Sequence, residues 1–382
     1  RATMNLPAVI HEITKRTPIE WKPQVPIGKN QVYLLLNAKK LELPLATLYE
    51  KFVQCESTLI IVNPPKVVEP MFDAGEVPVP RALMMKFMMA VVENKQKAEE
   101  LLRGLGGCTL KEAAELARLT MARDKSLTVQ GLMLTRKSCF QASSGLTQVD
   151  TKQSYYEPPE SLMKWVKTEK DYFLLGKDPR LIPRGLLFDG PPGTGKTAGS
   201  KWLAEQLGVP LYRVDIGGTK NKFVGQSEQN LLSNLSRLDN EEPCVALLDE
   251  VEKVFASNTH DNTGTTSTML SQLLWWLAER RSRVLVLMTT NNAKALPREL
   301  YREGRIDDVL WFDGLNLEKA WYFVRNLANT FSGVEIEDGE VTHIVSIAFL
   351  DEVAGKQKER VSQAALTKGV YTYVKQKTKP LV

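Results

Sequence analysis

Gly190-Pro191-Pro192-Gly193-Thr194-Gly195-Lys196-Thr197 is the stretch on which the reading of this chain turns. The octet fits G-x-x-x-x-G-K-[ST]. It follows an apolar run, Gly185-Leu-Leu-Phe-Asp, and opens a helical pattern at Lys196–Leu207, the strand-loop-helix context that the motif needs. Glycines let backbone amides converge on phosphate oxygens, and the helix N-terminus adds the positive end of its dipole. Lys196 reaches outer phosphates and Thr197 offers a hydroxyl to magnesium. These eight residues are the expected cradle for ATP with a magnesium ion.

Working outward, short apolar runs alternate with helical patterns. After Gly185–Asp189 come Pro210-Leu-Tyr-Arg-Val-Asp-Ile, Val245-Ala-Leu-Leu, Val284-Leu-Val-Leu-Met and Val309-Leu-Trp-Phe. Between them lie helical stretches at Lys196–Leu207, Ser227–Asp239 and Thr266–Arg280. Alternation of this kind predicts an α/β layer structure around a five-stranded parallel sheet. The third run ends in adjacent carboxylates, Asp249-Glu250. Placed after a phosphate loop, Asp249 is suited to hold magnesium and Glu250 to polarise an attacking water.

The run Val284–Met288 ends in Thr289-Thr-Asn-Asn and is followed by Leu300-Tyr-Arg-Glu-Gly-Arg-Ile-Asp307, which resembles the second region of homology of the AAA clade of AAA+ ATPases. The resemblance covers residues 170–315 well and the region after it loosely. It implies ATP hydrolysis, with Asn291 as the polar sensor near the outer phosphate and Arg302 and Arg305 as finger arginines acting on a neighbouring subunit's ATP. It therefore also implies a homo-oligomer, most simply a hexameric ring. Lys222, Phe223, Val224 and Gly225 resemble the aromatic pore loop that grips extended polypeptide, although a buried Phe223 anchor fits the same residues. The polar loop Ala256–Thr266 stands where a second pore loop would be. The Gly-Ala-Asp sensor motif of the clade has no counterpart at Leu350-Asp-Glu-Val-Ala-Gly355, and nothing in the sequence shows whether Lys356 or Arg360 compensates.

Beyond Phe312 the pattern is helical, with Asn316–Thr330, Asp338–Ala348 and Val361–Lys375 as candidates for a small lid over residues 316–382. The ATPase part is expected over 151–315. Residues 1–150 read as a mixed, mainly helical recognition or scaffold domain. Within it, Val32-Tyr-Leu-Leu-Leu and Thr58-Leu-Ile-Ile-Val flank a helix, and a long helical region starts at Arg81. Its order of elements leaves two readings open, a truncated AAA+ remnant without a phosphate loop or an unrelated adaptor. Gln141–Pro159, rich in Ser, Thr and Gln with paired prolines, reads as the linker between the domains.

The 382 residues, 43% hydrophobic and 25% charged, suit a folded chain of two or three domains. No run reaches the roughly 18 apolar residues of a membrane span, and the start has no signal-peptide core. The expected location is cytoplasmic, with no membrane partner. Cys55, Cys108, Cys139 and Cys244 are scattered, without a CxxC pair or histidines at ligand spacing, which argues against structural zinc and a disulfide framework. Cys244 opens an apolar run and reads as a small buried side chain. The net charge of +5 arises entirely in the first 150 residues. The first functional reading is a remodeller that threads polypeptide, and the alternative is a DNA-transaction ATPase supported by that mild basic excess.

Overall fold

The computed structural model describes residues 16–22, 25–35, 45–62, 79–139, 146–153, 155–216, 226–255, 265–302, 304–332, 334–351, 356–357 and 359–378. Contacts divide the chain into two compact units, 1–127 and 128–382. Lys222, Phe223, Val224 and Gly225, the residues that resemble a pore loop, lie outside the described residues, as does most of the loop after Phe255.

In the first unit, β1 (Ile19–Glu20), β2 (Val32–Leu35) and β3 (Thr58–Ile61) form a parallel sheet, with α1 (Leu45–Gln54) crossing from β2 to β3. All four residues of β2 are buried. Tyr33 and Leu35 pack with Trp21, Leu48 and Phe52, and alternate residues Val32 and Leu34 bury the opposite face, as the two-residue period of a strand requires. Three helices follow, α2 (Arg81–Val92), α3 (Lys95–Leu101) and α4 (Leu110–Asp124). Thr109 starts α4 with a capping box, accepting from the Glu112 N–H while Glu112 accepts from the Thr109 N–H.

The second unit begins with α5 (Val129–Cys139) and β4 (Leu146–Val149), followed by α6 (Glu160–Leu175). Then come β5 (Gly185–Asp189), α7 (Lys196–Leu207), β6 (Leu211–Val214), α8 (Gln226–Asn240) and β7 (Cys244–Leu248). A short α9 (Glu252–Phe255), α10 (Thr265–Glu279), β8 (Val284–Thr290) and β9 (Asp308–Trp311) complete the layer structure. The sheet has six strands in the order β4-β6-β7-β8-β5-β9. The five expected strands are all present and parallel. The sixth, β4, pairs antiparallel with β6 and comes from the segment read as linker. Leu146 is buried in it while Thr147 is exposed, so it adds a ladder at the edge without the apolar run that marks an interior strand.

Every residue of β7 and β8 is buried. Leu187, Ala246, Leu248, Val286 and Met288 face one core together with Leu235 of α8 and Leu273 of α10. Their strand neighbours Leu186, Phe188, Val245, Leu247 and Leu285 face a second core with Trp165 of α6 and Leu203 of α7. Helices thus cover both faces, and the carboxyl ends of β5, β7 and β8 open onto one crevice, the usual place for a ligand in such a sheet.

The last part is helical, with α11 (Leu317–Ala328), α12 (Asp338–Phe349) and, after the short pair β10 (Leu350–Asp351) and β11 (Lys356–Gln357), α13 (Gln363–Lys377). Phe323, Val324, Leu327, Val341, Ile344, Leu366 and Val370 make its core. The aromatic and apolar positions at helical spacing are therefore packing residues.

Candidate functional site

The loop between β5 and α7 is shaped by its glycines. Gly190, Gly193 and Gly195 have φ of +151°, +79° and +96°. A Cβ at Gly190 would lie 2.0 Å from the Phe312 carbonyl oxygen, so this residue brings the loop into contact with the segment after β9. Thr194 Oγ1 donates to the Pro191 carbonyl at 2.9 Å, closing the turn on itself.

Lys196 is only 8% exposed, and its Nζ donates to Gly190 O at 2.6 Å, Pro191 O at 2.8 Å and Asn291 Oδ1 at 2.9 Å. All three acceptors are uncharged. Burial lowers its pKa, against the opposing pull of Glu252, Asp189, Asp249 and Glu250. A buried ammonium held by neutral oxygens is a cation ready for an anionic ligand.

Asp249 follows β7 and accepts from Thr197 Oγ1 at 3.2 Å and from Thr289 Oγ1 at 2.6 Å. Thr289 in turn accepts the Glu250 N–H at 2.8 Å, so one threonine of β8 fixes both carboxylate residues. Glu250 has φ of +53°, and its carboxylate pairs with Lys253 on α9. That bond raises the Lys253 pKa. Asn291 is held from the other side, its N–H and Nδ2 both donating to Glu252 Oε1 at 3.1 and 2.8 Å.

Among the described residues no group of three or more His, Cys, Asp or Glu is placed to hold a metal ion. The donor set that is present, a threonine hydroxyl beside one carboxylate, fits magnesium. That ion takes few protein oxygens and completes its shell with water and phosphate. Thr197 and Asp249 would hold it, and bound there it would draw charge from the phosphate oxygens.

The lid reaches the same loop by a route not visible in the sequence. The Ala364 N–H donates to the Gly193 carbonyl at 3.1 Å, at the start of α13. Gln363, 6% exposed, exchanges two hydrogen bonds with the backbone of Glu157, its Nε2 donating to the carbonyl at 2.8 Å and its Oε1 accepting the N–H at 3.3 Å. Tyr156 packs beside it, its ring 2.9 Å from where a Gly195 Cβ would stand. The lid residues at the phosphate loop are thus Ser362, Gln363 and Ala364. The region searched in the sequence, 350–355, lies mostly outside the described residues. Arg360 serves the lid joint, pairing with Asp313 at 3.0 Å and donating to the Gly314 carbonyl at 3.1 Å. A signal for α13 did exist, since Ser362 caps it by accepting the Ala365 N–H.

Sequence reasoning also missed Thr289, Glu252 and Lys253, which orient the residues it did find. Lys196, Thr197, Asp249 and Asn291 come together. Arg302 is exposed, and Arg305 donates from Nη1 to the Glu299 carbonyl at 2.6 Å. Among the described residues no hydrogen bond joins either arginine to the phosphate loop, Asp249, Glu250 or Asn291. Cys244 is fully buried, with its thiol pKa pushed up by burial.

Fold and site together define a P-loop nucleotide-binding domain of the α/β class, with a helical lid. Residues 186–314 match the family "ATPase family associated with various cellular activities (AAA)", so this part of the chain is similar to an AAA ATPase domain. A protein of Guillardia theta, "Uncharacterized AAA domain-containing protein ycf46", is 29% identical over 276 residues, 64% of this chain and 54% of its own length. The "Peroxisomal ATPase pex1" of Schizosaccharomyces pombe is 31% identical over 182 residues, 46% of this chain and 19% of its own. The mouse "Nuclear valosin-containing protein-like" is 33% identical over 131 residues, 34% of this chain and 15% of its own. The chain spans about half or less of the length of these curated relatives. Among the described residues no helix is long and apolar enough to cross a membrane.

Proposed function

We propose that this chain is an ATP-hydrolysing motor that assembles with copies of itself into a ring, most simply a hexamer, and remodels polypeptides by threading them through the central pore. The observation that carries the hydrolytic reading is the convergence of Lys196 Nζ on Asn291 Oδ1, together with Thr197 and Thr289 on Asp249 Oδ1. Lys196 would exchange its carbonyl acceptors for outer phosphate oxygens. Thr197 and Asp249 would hold magnesium, and Asn291 and Glu250 would orient the attacking water, Glu250 leaving Lys253 to do so.

Among the described residues no arginine, Arg302 and Arg305 included, hydrogen-bonds to the phosphate loop, Asp249, Glu250 or Asn291. That separation supports their acting on a neighbouring copy. An arginine placed against a transferring phosphoryl group is worth about 10³–10⁵ in rate, so hydrolysis would depend on assembly. The first unit would recognise substrate or scaffold the ring, and Phe223 with Lys222, Val224 and Gly225 would grip the chain being pulled.

The test mixes Arg305→Ala subunits with Lys196→Ala subunits. Each is expected to be inactive alone, and mixed assemblies should recover activity at interfaces where an intact loop meets an intact finger. Co-assembly without recovery rejects action on the neighbour. For the substrate, unfolded protein should stimulate ATP turnover, and Phe223→Ala should abolish the stimulation while basal turnover stays within about twofold. Stimulation by DNA instead, lost on removing Lys222 and falling steeply with salt, would favour the DNA-transaction reading.

A further inference from the structure

The residue before β5, Arg184, joins three parts of the ATPase domain that are distant in sequence. Its main chain belongs to the sheet, the carbonyl accepting the Val286 N–H at 2.9 Å. Its guanidinium leaves the sheet, and a single nitrogen, Nη1, donates to the carbonyls of Ala278 at 2.9 Å and Gly304 at 3.2 Å. Ala278 lies in the last turn of α10, where helix carbonyls have no partner within the helix. Gly304 lies between the two candidate finger arginines.

The same loop is fastened a second time from its far side. Asp307 Oδ2 accepts the N–H of Arg184 at 2.5 Å and that of Gly185 at 3.0 Å, while its own N–H donates to the Gly185 carbonyl at 2.8 Å. Between the fastenings Ile306 is buried, 3% exposed, and a Cβ at Gly185 would lie 2.9 Å from the Val286 carbonyl oxygen and 2.6 Å from Ile306 Cδ1. Gly304 itself has φ of +86° with no atom within 4 Å of a would-be Cβ. The space on its Cβ side is open among the described residues, and the Arg184 bond is a directed contact on its carbonyl.

We infer that Arg184 is a positioning residue for the arginine-bearing loop, setting where Arg302 and Arg305 are presented to the neighbouring copy and linking that placement to the end of α10. The inference rests on the reading that these arginines act in trans. Among the described residues no hydrogen bond joins Arg184 to the phosphate loop, so its loss should leave the subunit's own nucleotide site intact while its finger is misplaced. Misplacement of a reacting or stabilising group by about 1 Å costs on the order of 10²-fold in rate.

Complementation separates the possibilities. Arg184→Ala assemblies should bind ATP within about threefold of the parent, show an unchanged KM and lose about 10- to 100-fold in kcat. Mixed with Lys196→Ala subunits, which keep an intact finger, they should regain activity. Mixed with Arg305→Ala subunits they should not, because both lack a working finger. Recovery with Arg305→Ala, loss of ATP binding, or unaltered kcat would each overturn the inference. The parallel mixture of Arg305→Ala with Lys196→Ala tests the trans reading alone, and its failure removes the premise independently of Arg184. Should Arg184→Ala fold poorly by thermal melting, Arg184→Lys goes through the same mixtures. It keeps one donor for Gly304 but not the planar fork, and is expected to show the same complementation pattern with a smaller loss of kcat. A lysine variant that does not regain activity with Lys196→Ala subunits would reject positioning.

Discussion

At the scale of the residue, the site is organised by hydrogen bonds among its own residues. Lys196 makes three of them, and its two carbonyl acceptors would be exchanged for phosphate oxygens, which pairs charge with charge. Lys196→Ala should therefore weaken ATP binding by about 10- to 100-fold in calorimetry, the size of one or two charged hydrogen bonds. Glu250→Gln keeps shape but cannot act as a base, and should bind ATP normally while kcat falls by about 10²–10⁴. Wild-type turnover in that variant would assign the water to another residue. Gly190→Ala combines φ of +151° with a 2.0 Å approach to the Phe312 carbonyl and should abolish ATP binding by displacing the loop. Normal binding would show that the Phe312 segment yields.

At the scale of the element, α5 is tied to the sheet by a buried ion pair. Arg136 meets Glu241 after α8, and the Tyr212 hydroxyl donates to the same carboxylate at 2.8 Å. Side-chain exposure is 9% for Arg136 and 6% for Glu241, so removing Arg136 leaves the buried carboxylate with the Tyr212 hydroxyl and the more distant Arg237 at 4.0 Å. Arg136→Met should lower unfolding free energy by about 3–5 kcal/mol in urea titration, and Arg136→Met with Glu241→Gln should cost less than the single change. Additive losses would show that the two residues act independently. Cys244 beside this cluster, its thiolate disfavoured by burial, should resist alkylation at pH 8 until the domain unfolds.

The elements also explain what the sequence could reveal. β5, β7 and β8 are buried on both faces and appear as unbroken apolar runs. β4 needs only Leu146 inside, and its Thr147 and Gln148 look like linker. The motif residues Gly190–Thr197 and Asp249–Glu250 were legible because local main-chain geometry makes their chemistry. Gln363 was not, since its partner Glu157 is 206 positions away and only the folded lid brings them together. Thr289 stands within the Thr-Thr-Asn-Asn stretch, but its two bonds to the Asp249–Glu250 pair depend on strand neighbours.

At the scale of the whole molecule, the contacts place α5 and β4 with the ATPase unit. A chain beginning at Thr128 should fold cooperatively and bind ATP, whereas one beginning at Thr151 loses β4, α5 and the Arg136 partner of Glu241. The shorter chain is expected to melt at least 5 °C lower, as the loss of a few kcal/mol implies for a unit of this size. Equal melting temperatures would show that α5 and β4 are accessory.

The exchange of hydrogen bonds between Gln363 and Glu157 bears on how often the molecule can repeat its cycle. Two neutral hydrogen bonds contribute roughly 1–3 kcal/mol net, and water can take over both backbone groups once the amide withdraws. A joint of this kind opens and recloses without separating buried charges, unlike the ion pair at Arg136. The Ala364 N–H bond to the Gly193 carbonyl is likewise between neutral groups that water can replace. The lid then works as a reusable clasp, with no lasting trace of one turnover to hinder the next.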